Sequence, residues 1–120
     1  MPTVLIVDDH PEIRRLLRIA VGKDVTILEA DDGPGALVQV EQHHPEVVFL
    51  DVMMPGPMDG FQVLQAIRAN PATRETIVAM TTARSQATDH EQADAHGANA
   101  YFTKPFSPMK VGNWLREQLG

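Results

Sequence analysis

Five short, mainly apolar runs punctuate the chain, and between them apolar residues return at intervals of three and four. The runs are Val4-Leu5-Ile6-Val7, residues 25–30, Val47-Val48-Phe49-Leu50, residues 77–80 and residues 100–103. Most of them do not alternate with polar positions, so both faces of each strand must be covered, as in a parallel sheet held between layers of helix. The intervening segments follow the helical period instead. Pro11 suits a first helical position, Ile13, Leu16, Leu17 and Ala20 share one face, and Gly22 is a stop. Ala36, Leu37 and Val40 mark a second helix between the turn-like Asp31-Asp32-Gly33-Pro34 and His43-His44-Pro45. Val63, Leu64 and Ile67 mark a third, ended by Asn70-Pro71. Residues 86–96 predict a fourth, thinly packed helix with only alanines as its apolar face, ended by Gly97. Ser107 as N-cap and Pro108 open a fifth, which buries Val111, Trp114, Leu115 and Leu119.

This alternation, with right-handed crossovers, predicts an α/β fold. It is a doubly wound, flavodoxin-like, five-stranded parallel sheet in the order 2-1-3-4-5, flanked by five helices. At 120 residues the chain is expected to form one domain over residues 1–120. Composition narrows the function classes. The hydrophobic share of 43% with 22% charged residues is that of a globular protein, and no apolar run has the length of a membrane span. The amino terminus enters a strand almost at once without the features of a secretory signal, so the cytoplasm is the expected location. The absence of cysteine excludes disulfides, thiolate metal sites and thiol catalysis. A formal net charge of -6 argues against direct contact with nucleic acid, and any DNA-binding role would belong to a partner.

Candidate chemistry sits at the strand ends. The first strand runs into Asp8-Asp9 and the third into Asp51. A bare carboxylate inside a core is costly, so Asp51 is expected at the sheet edge, within reach of water, a metal or a partner charge. In the order 2-1-3-4-5 the first and third strands flank the switch point, so Asp8, Asp9 and Asp51 converge on one crevice, with Thr82 and Lys104 beside it. Three crowded carboxylates repel one another unless protonated or neutralised by a cation, and an all-oxygen ligand set suits Mg2+, which typically also meets a phosphoryl oxygen. Lys104 and Thr82 can hold such a group, and a carboxylate can be the nucleophile that receives it.

Taken singly, these signals have plainer readings. An acidic pair after a strand is most simply a solvated turn or helix cap, and a lone Thr or Lys there is most simply structural. Met53, Met54, Met58, Met80 and Met109 read most simply as core filler, and His43-His44 as a solvated helix end. His10 stands beside the acidic pair as an isolated imidazole, and metal ligation through it is not expected. It is the joint occurrence that carries weight.

As a set, Leu5-Ile6-Val7-Asp8-Asp9, Leu50-Asp51 with Met54-Pro55 and Asp59-Gly60, Thr82-Ala83, and Lys104-Pro105-Phe106 resemble the receiver domain of two-component response regulators, in order and over the whole chain. The resemblance implies that Asp51 accepts a phosphoryl group from a sensor histidine kinase or histidine phosphotransfer protein. It implies Mg2+ bound by Asp9 and Asp51, with Asp8 assisting through water and the Met53 backbone carbonyl completing the site. Thr82 and Lys104 would hold the phosphoryl oxygens, Thr82 and Tyr101 would form the switch, and the Lys104–Pro105 bond would be cis. It further implies a signalling domain that catalyses its own phosphorylation and dephosphorylation. The signal would pass through the face of the fourth helix, fifth strand and fifth helix to an output partner or domain. Met53 and Arg84 would border the path of the hydrolytic water and, lacking any means to orient it, would leave the aspartyl phosphate long-lived. One departure is Gly56-Pro57-Met58, a residue longer than the commonest loop of the family and stiffened by Pro57.

Three alternatives compete. A pseudo-receiver, used only as a binding module, usually lacks one of these side chains, and all are present. A haloacid-dehalogenase-like phosphatase needs an acid two residues after its nucleophile, where Met53 stands. A dinucleotide-binding domain needs a glycine-rich turn where Asp8-Asp9-His10-Pro11 lies.

Overall fold

The computed structural model describes residues 1–83 and 97–120. Strands β1 (Thr3–Val7), β2 (Thr26–Ala30), β3 (Val47–Asp51), β4 (Ile77–Thr82) and β5 (Ala100–Thr103) form one parallel sheet in the order β2-β1-β3-β4-β5. Helices α1 (Pro11–Val21), α2 (Gly33–His43), α3 (Gly60–Ala69) and a C-terminal helix (Pro108–Leu119) cover it. The helix expected over residues 86–96 lies outside the described residues, so four of the five expected helices are seen.

The continuous apolar runs are explained by the two cores they separate. β3 is buried at every position, and Val4, Leu5, Ile6 and Val7 of β1 are fully buried. On one face Val48 and Leu50 meet α2 and α3 through Ala36, Val40, Phe61, Val63, Leu64 and Ile67. On the other, Val47 and Phe49 meet α1 and the C-terminal helix through Leu17, Ala20, Val21, Val111 and Leu115. Trp114 closes this second core by edge-on contacts with Phe49 and Phe102, at centroid distances of 5.8 and 5.7 Å.

The helix ends follow local chemistry. Asp32 accepts from Gly35 N at 2.7 Å as the N-cap of α2, so Gly33 and Pro34 of the expected turn already belong to the helix. Asp59 and Gln62 form a reciprocal capping box on α3, and Gly22 ends α1 at a φ of 81°. β4 runs to Thr82, two residues beyond its apolar run, because the ladder to β5 continues through Thr81 and Thr82. The methionines divide. Met80 is interior and Met54 and Met58 lean on the core, whereas Met53 and Met109 are exposed, contrary to their reading as filler. No described helix is long and apolar enough to cross a membrane.

Candidate functional site

β1 and β3 are paired with Val7 opposite Leu50, so the residues that follow each emerge side by side. Asp8 is held by its N–H to Ala30 O at 3.1 Å, and the chain after Asp51 by Val52 N to Thr81 O at 2.9 Å. α3 then starts against this turn. Gly60 N donates to Val52 O at 2.9 Å, and a Cβ at Gly60 would lie 2.1 Å from Asp51 O. The glycine is required by close approach of two backbones, one of which carries Asp51.

β5 supplies the cation. Lys104 N donates to Thr82 O at 2.6 Å, and the Lys104–Pro105 peptide is cis, as expected. Lys104 Nζ lies 2.8 Å from Asp8 Oδ2 and 3.3 Å from Asp51 Oδ1. Burial works to lower the Lys104 pKa, but its hydrogen bond to Asp8 and the charges of Asp51 and Asp8 raise it overall, so the ammonium persists.

Asp51 lies at the sheet edge within reach of a partner charge, as expected, but it is closed off from water. Asp51 is 2% exposed and Asp8 is fully buried. Lys104 makes this tolerable, since a buried charge needs a partner of opposite sign. Even so, burial first, and the neighbouring Asp8 second, push the Asp51 pKa up to about 6. Asp51 Oδ1 accepts from Lys104 and, weakly at 3.4 Å, from Met53 N. Asp51 Oδ2 is buried with no hydrogen-bond partner.

The acidic cluster fits a cation on its own evidence. Asp8, Asp9, His10 and Asp51 each offer a ligand atom, all within 4.8 Å of one another. Asp9 Oδ1 is buried without a hydrogen bond, as is Asp51 Oδ2, and an ion would satisfy both. His10 Nδ1 stands 3.1 Å from Asp9 Oδ1, but its hydrogen bond goes to Asp8 Oδ1, also at 3.1 Å. The imidazole set aside as isolated is therefore part of the cluster. Its signal in the sequence was its place two residues after Asp8.

Thr82 is buried at the end of β4. Met80 pairs with Tyr101 and Thr82 with Thr103, so Tyr101 and Thr82 lie on one face of the sheet. Tyr101 is half-buried against the core that α2 and α3 cover. Met53, expected to offer its carbonyl, carries an exposed side chain beside Asp51. Arg84 lies outside the described residues.

Known proteins share these features. The model of the response regulator receiver domain matches residues 4–116. The chain is 34% identical to Protein PilG of Pseudomonas aeruginosa over 90% of this chain and 80% of that protein. It is 37% identical to the transcriptional regulatory protein ResD of Bacillus subtilis over 90% of this chain but 44% of that protein, so it spans less than half of such regulators. The structure of chemotaxis protein CheY4 of Vibrio cholerae superposes with a TM-score of 0.89 at 29% identity, covering 98% of each chain. With its 2-1-3-4-5 sheet and strand-end aspartates, the chain belongs to the response regulator receiver domain family of two-component systems.

Proposed function

We propose that this receiver domain takes up a phosphoryl group on Asp51 and passes the resulting change to a partner or output domain. The observation that carries this reading is Asp51 Oδ2, a buried carboxylate oxygen without a partner, at the centre of a cluster that also holds a lysine ammonium. Asp51 is the nucleophile. Its oxygen forms the new O–P bond as the P–N bond of a phosphohistidine on a sensor kinase or phosphotransfer protein breaks, and the donor imidazole keeps the electron pair. Lys104 withdraws from Asp51 toward the phosphoryl oxygens as negative charge gathers there, and Thr82 donates its hydroxyl to the same group. Asp9, Asp51 and the Met53 backbone carbonyl would hold Mg2+, with Asp8 assisting through water. When bound, Mg2+ neutralises the carboxylates and screens the incoming phosphoryl charge. Met53 has no group with which to orient a water, so hydrolysis is slow. Tyr101 moves with Thr82, and the domain works in the cytoplasm. The signal leaves through the C-terminal helix, β5 and the segment before it.

The test is incubation with a small phosphodonor, with and without Mg2+, followed by intact-mass measurement. Uptake of one phosphoryl group is expected only with Mg2+, and Asp51→Asn is expected to abolish it. Stoichiometric uptake by that variant would sink the assignment, and absence of uptake by the parent would favour a binding-only receiver.

A further inference from the structure

We propose that His10 is a fourth donor to the carboxylate cluster, so that the site prefers late first-row divalent ions such as Co2+, Ni2+ and Zn2+ to Mg2+. This rests on the reading of Asp8, Asp9 and Asp51 as a cation site and adds the imidazole to it. His10 Nδ1 is 3.1 Å from Asp8 Oδ1 and 3.1 Å from Asp9 Oδ1. Adjacent donors around a six-coordinate ion with bonds of about 2.1 Å stand about 3 Å apart, along an edge of the octahedron. The nitrogen is thus already spaced as a neighbouring ligand to two carboxylate oxygens.

Local structure holds it there. His10 N donates to Asp8 Oδ1 at 2.9 Å, and His10 is the N-cap of α1, followed by Pro11. Its side chain caps no backbone group of the helix, which leaves the ring to the cluster. The ring is 56% exposed, so an ion can reach Nδ1 from solvent. Nδ1 carries the proton that it donates to Asp8 Oδ1, so an ion binds there by displacing that proton and freeing the lone pair. Asp51 Oδ2, on a residue only 2% exposed and without a hydrogen bond among the described residues, points independently to a cation.

Ion chemistry sets the preference. Mg2+ takes oxygen ligands and keeps its waters, so an imidazole adds little to its affinity. Co2+, Ni2+ and Zn2+ bind imidazole nitrogen well, and their affinities for mixed nitrogen and oxygen sites rise along the first row.

The experiment titrates the whole chain by calorimetry with Ni2+ alone and with Mg2+ alone, then displaces Ni2+ with excess Mg2+. Displacement restricts the signal to this site, since His43 and His44 are also exposed. Co2+ serves as a paramagnetic probe of imidazole ring protons. The parent is expected to bind Ni2+ more tightly than Mg2+, and His10→Ala to weaken displaceable Ni2+ binding by about tenfold or more. The same variant should weaken Mg2+ binding far less and lose one Co2+-shifted imidazole signal. Equal losses for both ions, no loss for either, or persistence of that signal would overturn the proposal. A parent that binds neither ion, or whose Mg2+ binding survives Asp51→Asn, would overturn the underlying cation site too. Mg2+ binding that needs Asp51, with Ni2+ binding indifferent to His10, overturns this inference alone.

Discussion

At the scale of single residues, the site is held together against its own repulsion. Asp51 has a folded pKa near 6 against an ordinary 3.8, raised first by burial and then by Asp8. A carboxyl with a raised pKa favours the folded state most below the unfolded value, and that contribution is lost as pH climbs through the folded value. The metal-free protein should therefore lose stability from Asp51 between pH 4 and about 6, where the carboxyl ionises in the fold. His10, whose pKa is raised by its hydrogen bond to Asp8 and by the charge of Asp9, acts in the same direction at somewhat higher pH. Thermal melting in a chelator across this range is expected to show a fall that Asp51→Asn flattens. At pH 7 that variant should melt higher than the parent without metal, and Mg2+ should raise the melting temperature of the parent alone. A parent curve that rises from pH 4 to 7 in step with the variant would contradict this account.

At the scale of elements, glycines set how closely helices approach, and of Gly60 and Gly112 only the first touches the site. A Cβ at Gly60 would meet Asp51 O at 2.1 Å and Val52 Cα at 2.8 Å, so α3 is docked directly on the backbone that carries the acceptor. A Cβ at Gly112 would meet Ala20 O at 2.7 Å, between the C-terminal helix and α1. Each glycine-to-alanine change should destabilise by about 1–3 kcal/mol, the usual cost of forced overpacking, as read by denaturant unfolding. Their effects on phosphoryl uptake should part: Gly60→Ala slows it, because the backbone of Asp51 must shift, and Gly112→Ala does not. Equal uptake in the two would show that α3 does not position Asp51. The Asp59-Gly60 pair was legible as part of the motif set that resembles the receiver family, and its capping box emerged from the structure. The close approach was not legible, because a backbone contact between α3 and β3 leaves no mark on hydropathy.

At the scale of the molecule, the sheet joins the acceptor to a distant face. Arg68 donates to Gly97 O, Arg74 O, Thr76 O and Asn99 Oδ1, and Val78 N donates to the same Asn99 oxygen, so the entry to β5 is pinned to α3 and β4. Tyr101 follows two residues later, on the Thr82 face of the sheet. Phosphorylation should then alter amide exchange at Tyr101 and its neighbours in β5 while leaving β1 and β2 unchanged, and unaltered exchange at Tyr101 would remove it from the switch. The sequence alone determined the strands, four of the described helices and the sheet order, because burial on both faces demands unbroken apolar runs and crossover handedness limits how they stack. It also placed Asp8, Asp9, Asp51, Thr82 and Lys104 at strand ends. Only the tertiary structure decided that Asp51 is buried, that Lys104 spans to both Asp8 and Asp51, and that His10 joins the cluster. Those outcomes depend on which strand ends pack together and how much water the packing excludes, and these are properties of contacts between residues far apart in the chain.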